Sequence, residues 1–188
     1  MALVTDIFWR RLDGPGHDAC RLERDDAGWL INGMAVFRED GKASALRYQV
    51  RCTEAWVTRE ARISGWSGAD PIDLVVEHLA GDKWRLNGEV VAAVKGCLDV
   101  DLGFTPATNT LAIRRLELAP GAHAETTAAW LDPADWMLKP LTQTYTRTGE
   151  ETYDYASPAH GFEARLTVDA HCLVSDYPGL WELDVGGR

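Results

Sequence analysis

Cysteine is scarce and scattered. Cys20, Cys52, Cys97 and Cys172 form no Cys-x-x-Cys pair, which removes the usual zinc and dithiol spacings. Each has apolar or strand-like neighbours, so buried free thiols in a reducing compartment are expected. No apolar run approaches the ~20 residues needed to span a bilayer. The opening MALVTDIFWRRLDG lacks a charged n-region followed by a long apolar h-region, and neither end carries a lipidation signature. A cytoplasmic protein with no integral membrane association is therefore expected. Basic residues are also short: 19 Lys and Arg face 29 Asp and Glu, a net charge of -10. That argues against nucleic acid as a partner and against a general attraction to anionic membranes, though a local basic pocket remains compatible. The five histidines show no HExxH spacing, and GxGxxG and P-loop patterns are missing. Gly65-Trp66-Ser67-Gly68 lacks the closing glycine of a nucleophile elbow. No cofactor, metal site or catalytic residue is expected from these patterns.

Turns and alternation are abundant. Asp13-Gly14-Pro15-Gly16, Asn32-Gly33, Asp40-Gly41, Asn87-Gly88 and Pro178-Gly179 punctuate the chain. Between them, Leu46, Tyr48, Val50 and Cys52 alternate with Arg47, Gln49 and Arg51, and Phe162 to Ala170 alternates in the same way. Successive strand side chains point to opposite faces, so each run has a core face and a wet face. Many short strands with regular turns predict a mostly-β, largely antiparallel architecture. Asn87-Gly88 is the clearest hairpin tip, because a type I′ turn needs positive φ at both central residues. The 188 residues suit a single domain over 1–188, and eight tryptophans favour a large aromatic core or an aromatic-lined pocket.

The stretch GCLDVDLGFTPATNTLAIRRLEL, Gly96 to Leu118, breaks the β pattern. After Pro106, Thr108 to Thr110 offer capping groups, and Leu111, Arg115 and Leu118 fall at helical spacing. These features predict a short helix at about 108–118, closed by Pro120-Gly121. A second short helix over Pro133 to Leu138 is also suggested.

This segment resembles the signature of the putative glycolipid-binding family. Gly96, Cys97, Asp99, Asp101, Thr105, Pro106, Thr108, Asn109, Thr110, Leu111, Ile113, Arg114, Arg115 and Leu116 match its pattern, and Ala112 stands where the family usually has proline. Tyr48, Trp56, Thr58 and Arg59 resemble a strand motif of the family; Gln143, Tyr145, Tyr153, Tyr155 and Asp176 to Gly179 resemble its C-terminal third. The resemblance implies a spiral β-roll, a long curved sheet wrapped around one short central helix. It also implies a homodimer and a small amphipathic ligand, a glycolipid or lipid.

Seven residues stand out as candidate ligand contacts. Asp99 and Asp101 are two apart, so on a strand they share a face; they read as paired carboxylates for acid–base work or as partners for nearby arginines. Arg114 and Arg115 point about 100° apart on a helix, so both cannot face the same way; they read either as a structural ion network with Asp99 and Asp101, or as a site where one arginine presents its donor fork to a sugar, phosphate or carboxylate of a ligand. Tyr48, Trp56 and Arg59 lie near one predicted strand pair, where aromatic rings either stack on sugars or fill the core. Three readings follow: a noncatalytic binding protein, a sugar- or lipid-modifying enzyme using Asp99 or Asp101, and a structural dimer without a ligand.

Overall fold

The computed structural model describes residues 1–186. Its 15 strands form one sheet in the order β8-β7-β6-β5-β4-β3-β2-β1-β15-β14-β13-β12-β11-β10-β9. The first half is an up-and-down meander: β1 (Ala2–Arg11), β2 (Gly16–Asp25), β3 (Gly28–Glu39), β4 (Lys42–Cys52), β5 (Thr58–Ser67), β6 (Asp70–Leu79), β7 (Lys83–Leu86) and β8 (Glu89–Val90). The second half comprises β9 (Val100–Leu102), β10 (His123–Asp132), β11 (Met137–Arg147), β12 (Thr152–Ser157), β13 (Phe162–Val168), β14 (Val174–Tyr177) and β15 (Trp181–Leu183). It returns to the start by pairing β15 with β1, Trp9 opposite Leu183. Neighbours are antiparallel except β9 and β10, which run parallel. His17 and His123 lie within β2 and at the start of β10.

Alternation fixes the inner face. In β2, Asp18, Cys20 and Leu22 are buried while His17, Ala19 and Arg21 are exposed. In β4, Ser44, Leu46, Tyr48, Val50 and Cys52 are all buried. The Asn87-Gly88 tip has φ of 50° and 84°, as a type I′ turn requires. Gly33 serves another purpose: a Cβ there would sit 2.3 Å from the Tyr48 ring, so the missing side chain lets that ring lie against the sheet.

The two end strands of the sheet are joined by Val91 to Asp99, and this segment closes the roll. The Thr58 amide donates to the Leu98 carbonyl at 3.0 Å, the Val100 amide donates to the Thr58 hydroxyl at 3.0 Å, and the Trp84 indole donates to the Cys97 carbonyl at 3.0 Å. Docking β9 and the segment before it against β5 and β7 covers edges that would otherwise invite further pairing.

The helix α1 (Asn109–Leu116) lies inside the roll. Pro106 opens a single 3-10 turn before it, and Glu117 ends it in the left-handed region at φ 43°. Asn109 to Ile113 are all buried. The expected helix is thus present and slightly shorter than the 108–118 spacing suggests. The second suggested helix is not formed: residues 133–136 make the turn between β10 and β11, with β11 starting at Met137. The Asp132 carboxylate and carbonyl hold that turn by accepting from the Ala134 and Trp136 amides. No helix among the described residues is long and apolar enough to cross a membrane.

Candidate functional site

The polar residues of the Thr105 to Arg115 stretch tie an enclosed helix to its wall. The Thr105 hydroxyl accepts from the Ala107 amide and donates to Asp18 Oδ2 at 2.5 Å. The Thr108 hydroxyl accepts from the Leu102 amide at 3.1 Å. Asn109 donates to the Tyr145 hydroxyl at 3.0 Å, and Thr110 donates to the Cys172 carbonyl at 3.0 Å. A polar group taken from water without a partner is costly, so these contacts let a Thr- and Asn-rich helix start sit in a dry interior.

The adjacent arginines divide. Arg115 Nε donates to Asp99 at 2.9 and 3.2 Å, and Nη2 contacts both Asp99 and the Thr126 hydroxyl. Asp99 is 2% exposed, so this is a buried, bidentate ion pair. Its hydrogen bond raises the Arg115 pKa above the ordinary value. Arg114 turns to one end of the roll. Its Nε donates to the His171 carbonyl at 3.1 Å, and its guanidinium lies over the Trp56 ring at 5.3 Å. Among the described residues it forms no ion pair, in contrast to Arg115.

Arg114 lines a groove of about 620 Å3, the size of a small-molecule site. Trp56, Ile113, Tyr153, Val168 and Cys172 supply apolar wall, and Glu117, Glu150, Glu151 and Asp169 supply carboxylates. Arg147 closes it: its three guanidinium nitrogens donate to the carbonyls of Gly149, Leu118 and Glu150, and its charge lies 5.9 Å from the Tyr153 ring centroid. Trp56 is the end of an aromatic column. Trp29 stacks on it at 4.4 Å, and Arg24 lies over Trp29 at 4.9 Å. Trp56 itself has φ 64°, a left-handed conformation uncommon for a bulky side chain. Burial pushes the Cys172 thiol above its ordinary pKa, opposed by Arg114, which disfavours its thiolate form.

The remaining candidates lie elsewhere. Tyr48 is fully buried, and its hydroxyl donates to Asp18 Oδ2 at 2.8 Å. Arg59 is exposed at the start of β5, outside the Arg114 groove. Asp101 is partly buried and accepts from Gln143 Nε2 at 2.6 Å; it lines neither this groove nor the one at the opposite end of the roll. Burial, aided by the nearby Asp99 charge, lifts its pKa to about 6 against the Gln143 hydrogen bond. The structure therefore brings Trp56 and Arg114 together, and Asp99 and Arg115 together, but separates these pairs from Tyr48 and Arg59.

Two contributors escaped the sequence reading. Arg147 is anchored on backbone carbonyls, for which no side-chain spacing exists. Asp18 was detectable: it shares strand parity with Cys20 and Leu22, and a carboxylate at a core position is a signal. It is fully buried, its Oδ1 has no hydrogen-bond partner among the described residues, and burial pushes its pKa up to about 6 despite donors from Thr105 and Tyr48.

The comparisons agree with this architecture. A crystal structure of a DUF1089 family protein from Pseudomonas aeruginosa is similar over 89% of this chain and 91% of its own, with 32% identity and a TM-score of 0.79. A β-barrel-like DUF1849 protein from Brucella abortus shares the fold at 9% identity and a TM-score of 0.54, over 95% of this chain and 94% of its own. No protein of curated function matches. The family model described as "Putative glycolipid-binding" matches residues 6–183, and the chain belongs to that family.

Proposed function

We propose that this protein binds an amphipathic ligand, a glycolipid or lipid, without converting it, and that the polar head occupies the Arg114 groove. The observation that carries this reading is the division of the two arginines. Arg115 is consumed by Asp99, whereas Arg114 reaches a groove of about 620 Å3 with no carboxylate paired to it. Its free donors suit hydroxyl or ether oxygens, and the carboxylates of Glu117, Glu150 and Glu151 suit sugar hydroxyl hydrogens. Ile113 and Val168 offer apolar wall to the first methylenes of a tail.

The enzyme reading has weaker support. Asp99 is neutralised by a bidentate arginine, and Asp101, although its pKa is lifted to about 6, lines neither end groove. The test is a titration with n-octyl β-glucoside below its micellar concentration, followed by the indole resonance of Trp56. Saturable shifts that vanish in Arg114→Met support the site; shifts unchanged in Arg114→Met contradict it. The implied homodimer belongs to the same proposal. Sedimentation at micromolar concentration at twice 20.8 kDa supports it, and a monomer removes it.

A further inference from the structure

The opposite end of the roll holds a second, more enclosed cavity of about 340 Å3. It lies where β3 turns into β4, β5 into β6 and β10 into β11, a full strand length from Arg114. Its walls are aromatic: Phe37, Trp130 and Trp136 line it. The Arg11 guanidinium already lies over Phe37 at 5.1 Å and Lys139 Nζ over Trp130 at 5.8 Å, so these walls accept cations and Trp136 is the ring with no protein cation over it among the described residues. Trp136 is placed against Phe104 at 6.1 Å between ring centroids. Gly103 forms part of the floor. A Cβ there would come within 2.5 Å of the Trp130 indole nitrogen and 2.8 Å of Pro133 Cδ, so only glycine leaves this wall in place. The charged lining comprises Glu39, Asp40, Asp70, Asp132 and Lys42, and the cations Arg11 and Lys139 stand at its edge. Asp132 is already paired with Lys139, and Glu39 lies 3.4 Å from Arg11. Asp40 and Asp70 form no ion pair among the described residues and stand exposed at the mouth.

We infer that this cavity binds an organic ammonium group. Aromatic faces attract a cation through the ring quadrupole, and the attraction grows where water is excluded. A methylated or alkyl ammonium is weakly hydrated and matches apolar walls better than sodium does. The carboxylates at the mouth supply the countercharge and disfavour anions. An anionic ligand would meet the unpaired carboxylates of Asp40 and Asp70 at the mouth, and a neutral sugar would leave them unused. The site is independent of the Arg114 groove and shares no lining residue with it.

The test uses tetramethylammonium chloride titrated into the full-length protein at constant ionic strength, with sodium chloride as the reference. Indole resonances of Trp130 and Trp136 report on the walls, and that of Trp56 reports on the far groove. The expected result is a saturable shift of Trp130 and Trp136 with Trp56 unmoved. Trp136→Leu weakens binding about tenfold or more, as loss of a desolvated cation–aromatic contact does. The double variant Asp40→Asn/Asp70→Asn, at exposed positions safe for folding, weakens it about threefold to tenfold. Shifts that are linear in concentration, equal to those from sodium chloride, or unaltered in the Asp40→Asn/Asp70→Asn protein overturn the inference, whatever the behaviour of Trp136→Leu. Binding of octyl β-glucoside at Trp56 is unaffected by either outcome, so the two sites fail separately.

Discussion

Arg115 and Arg114 are neighbours in sequence, yet they belong to different physical regions. Arg115 points to the inner wall of the roll, where Asp99 and Thr126 meet its donors. There, the side chains of Asn109, Thr110 and Arg115 each have a partner. Arg114 points to the open end, where it rests on Trp56 and takes one carbonyl from His171. One helical step of about 100° separates a charge spent on holding the fold from a charge left for something else. The same 23-residue signature therefore mixes a residue paired inside the wall with one that faces a groove, and matching the signature does not by itself say which is which.

Breaking the inner pair gives the largest expected effect. Arg115→Met strands the Asp99 carboxylate in a dry site, which costs about 3–5 kcal/mol and is read as a lowered denaturation midpoint in urea. A smaller effect comes from packing on the same wall. Gly33→Ala pushes a methyl group into the Tyr48 ring, which Asp18 and Thr105 hold in place, at about 1–3 kcal/mol for overpacking. Ala170→Ser in the groove should stay within about 0.5 kcal/mol, as surface changes do. If both cost the same by chemical denaturation, the distinction between wall and groove is lost.

Smaller again is the pH dependence of the inner wall. The folded-state pKa of Asp18 is about 6, above its ordinary 3.8, because burial disfavours the charged form. Its stabilising contribution is fully present below about 3.8 and is lost as pH rises through about 6. Lowering the pH from 7 to 5 should therefore raise stability by about 1 kcal/mol from this group, with Asp101 acting in the same direction. Asp18→Asn should remove its share of the slope in thermal melts across that range. An unchanged slope would mean that Asp18 does not titrate there.

Much of the architecture was legible because local chemistry and global fold agree. Asn87-Gly88 demanded positive φ, and the hairpin formed. Alternation in Leu46 to Cys52 assigned the inner face of β4 correctly. The Thr/Asn-rich start and the leucine spacing located α1 to within two residues at its end. The 133–138 segment misled because Pro133 and Asp135 suit both a helix start and a turn, and the Asp132 hydrogen bonds favour the turn. The candidate site was less legible. The divergence of Arg114 and Arg115 follows from helix geometry, but which one faces outward depends on how the helix is seated in the roll. The fate of Trp56 rests on a left-handed backbone and on Trp29, 27 positions earlier in the chain, and Arg147 acts through carbonyls that any sequence supplies.

The smallest expected effect on stability is the most informative one. Arg114→Met should unfold at the wild-type urea concentration within about 0.5 kcal/mol, because no buried carboxylate loses its partner. Measured beside Arg115→Met, with n-octyl β-glucoside titrated into both folded proteins, it tests the central claim directly. The account predicts that Arg114→Met keeps its stability and loses the saturable Trp56 shift, while Arg115→Met loses stability by several kcal/mol. Equal destabilisation by the two variants, with binding retained in Arg114→Met, would contradict it.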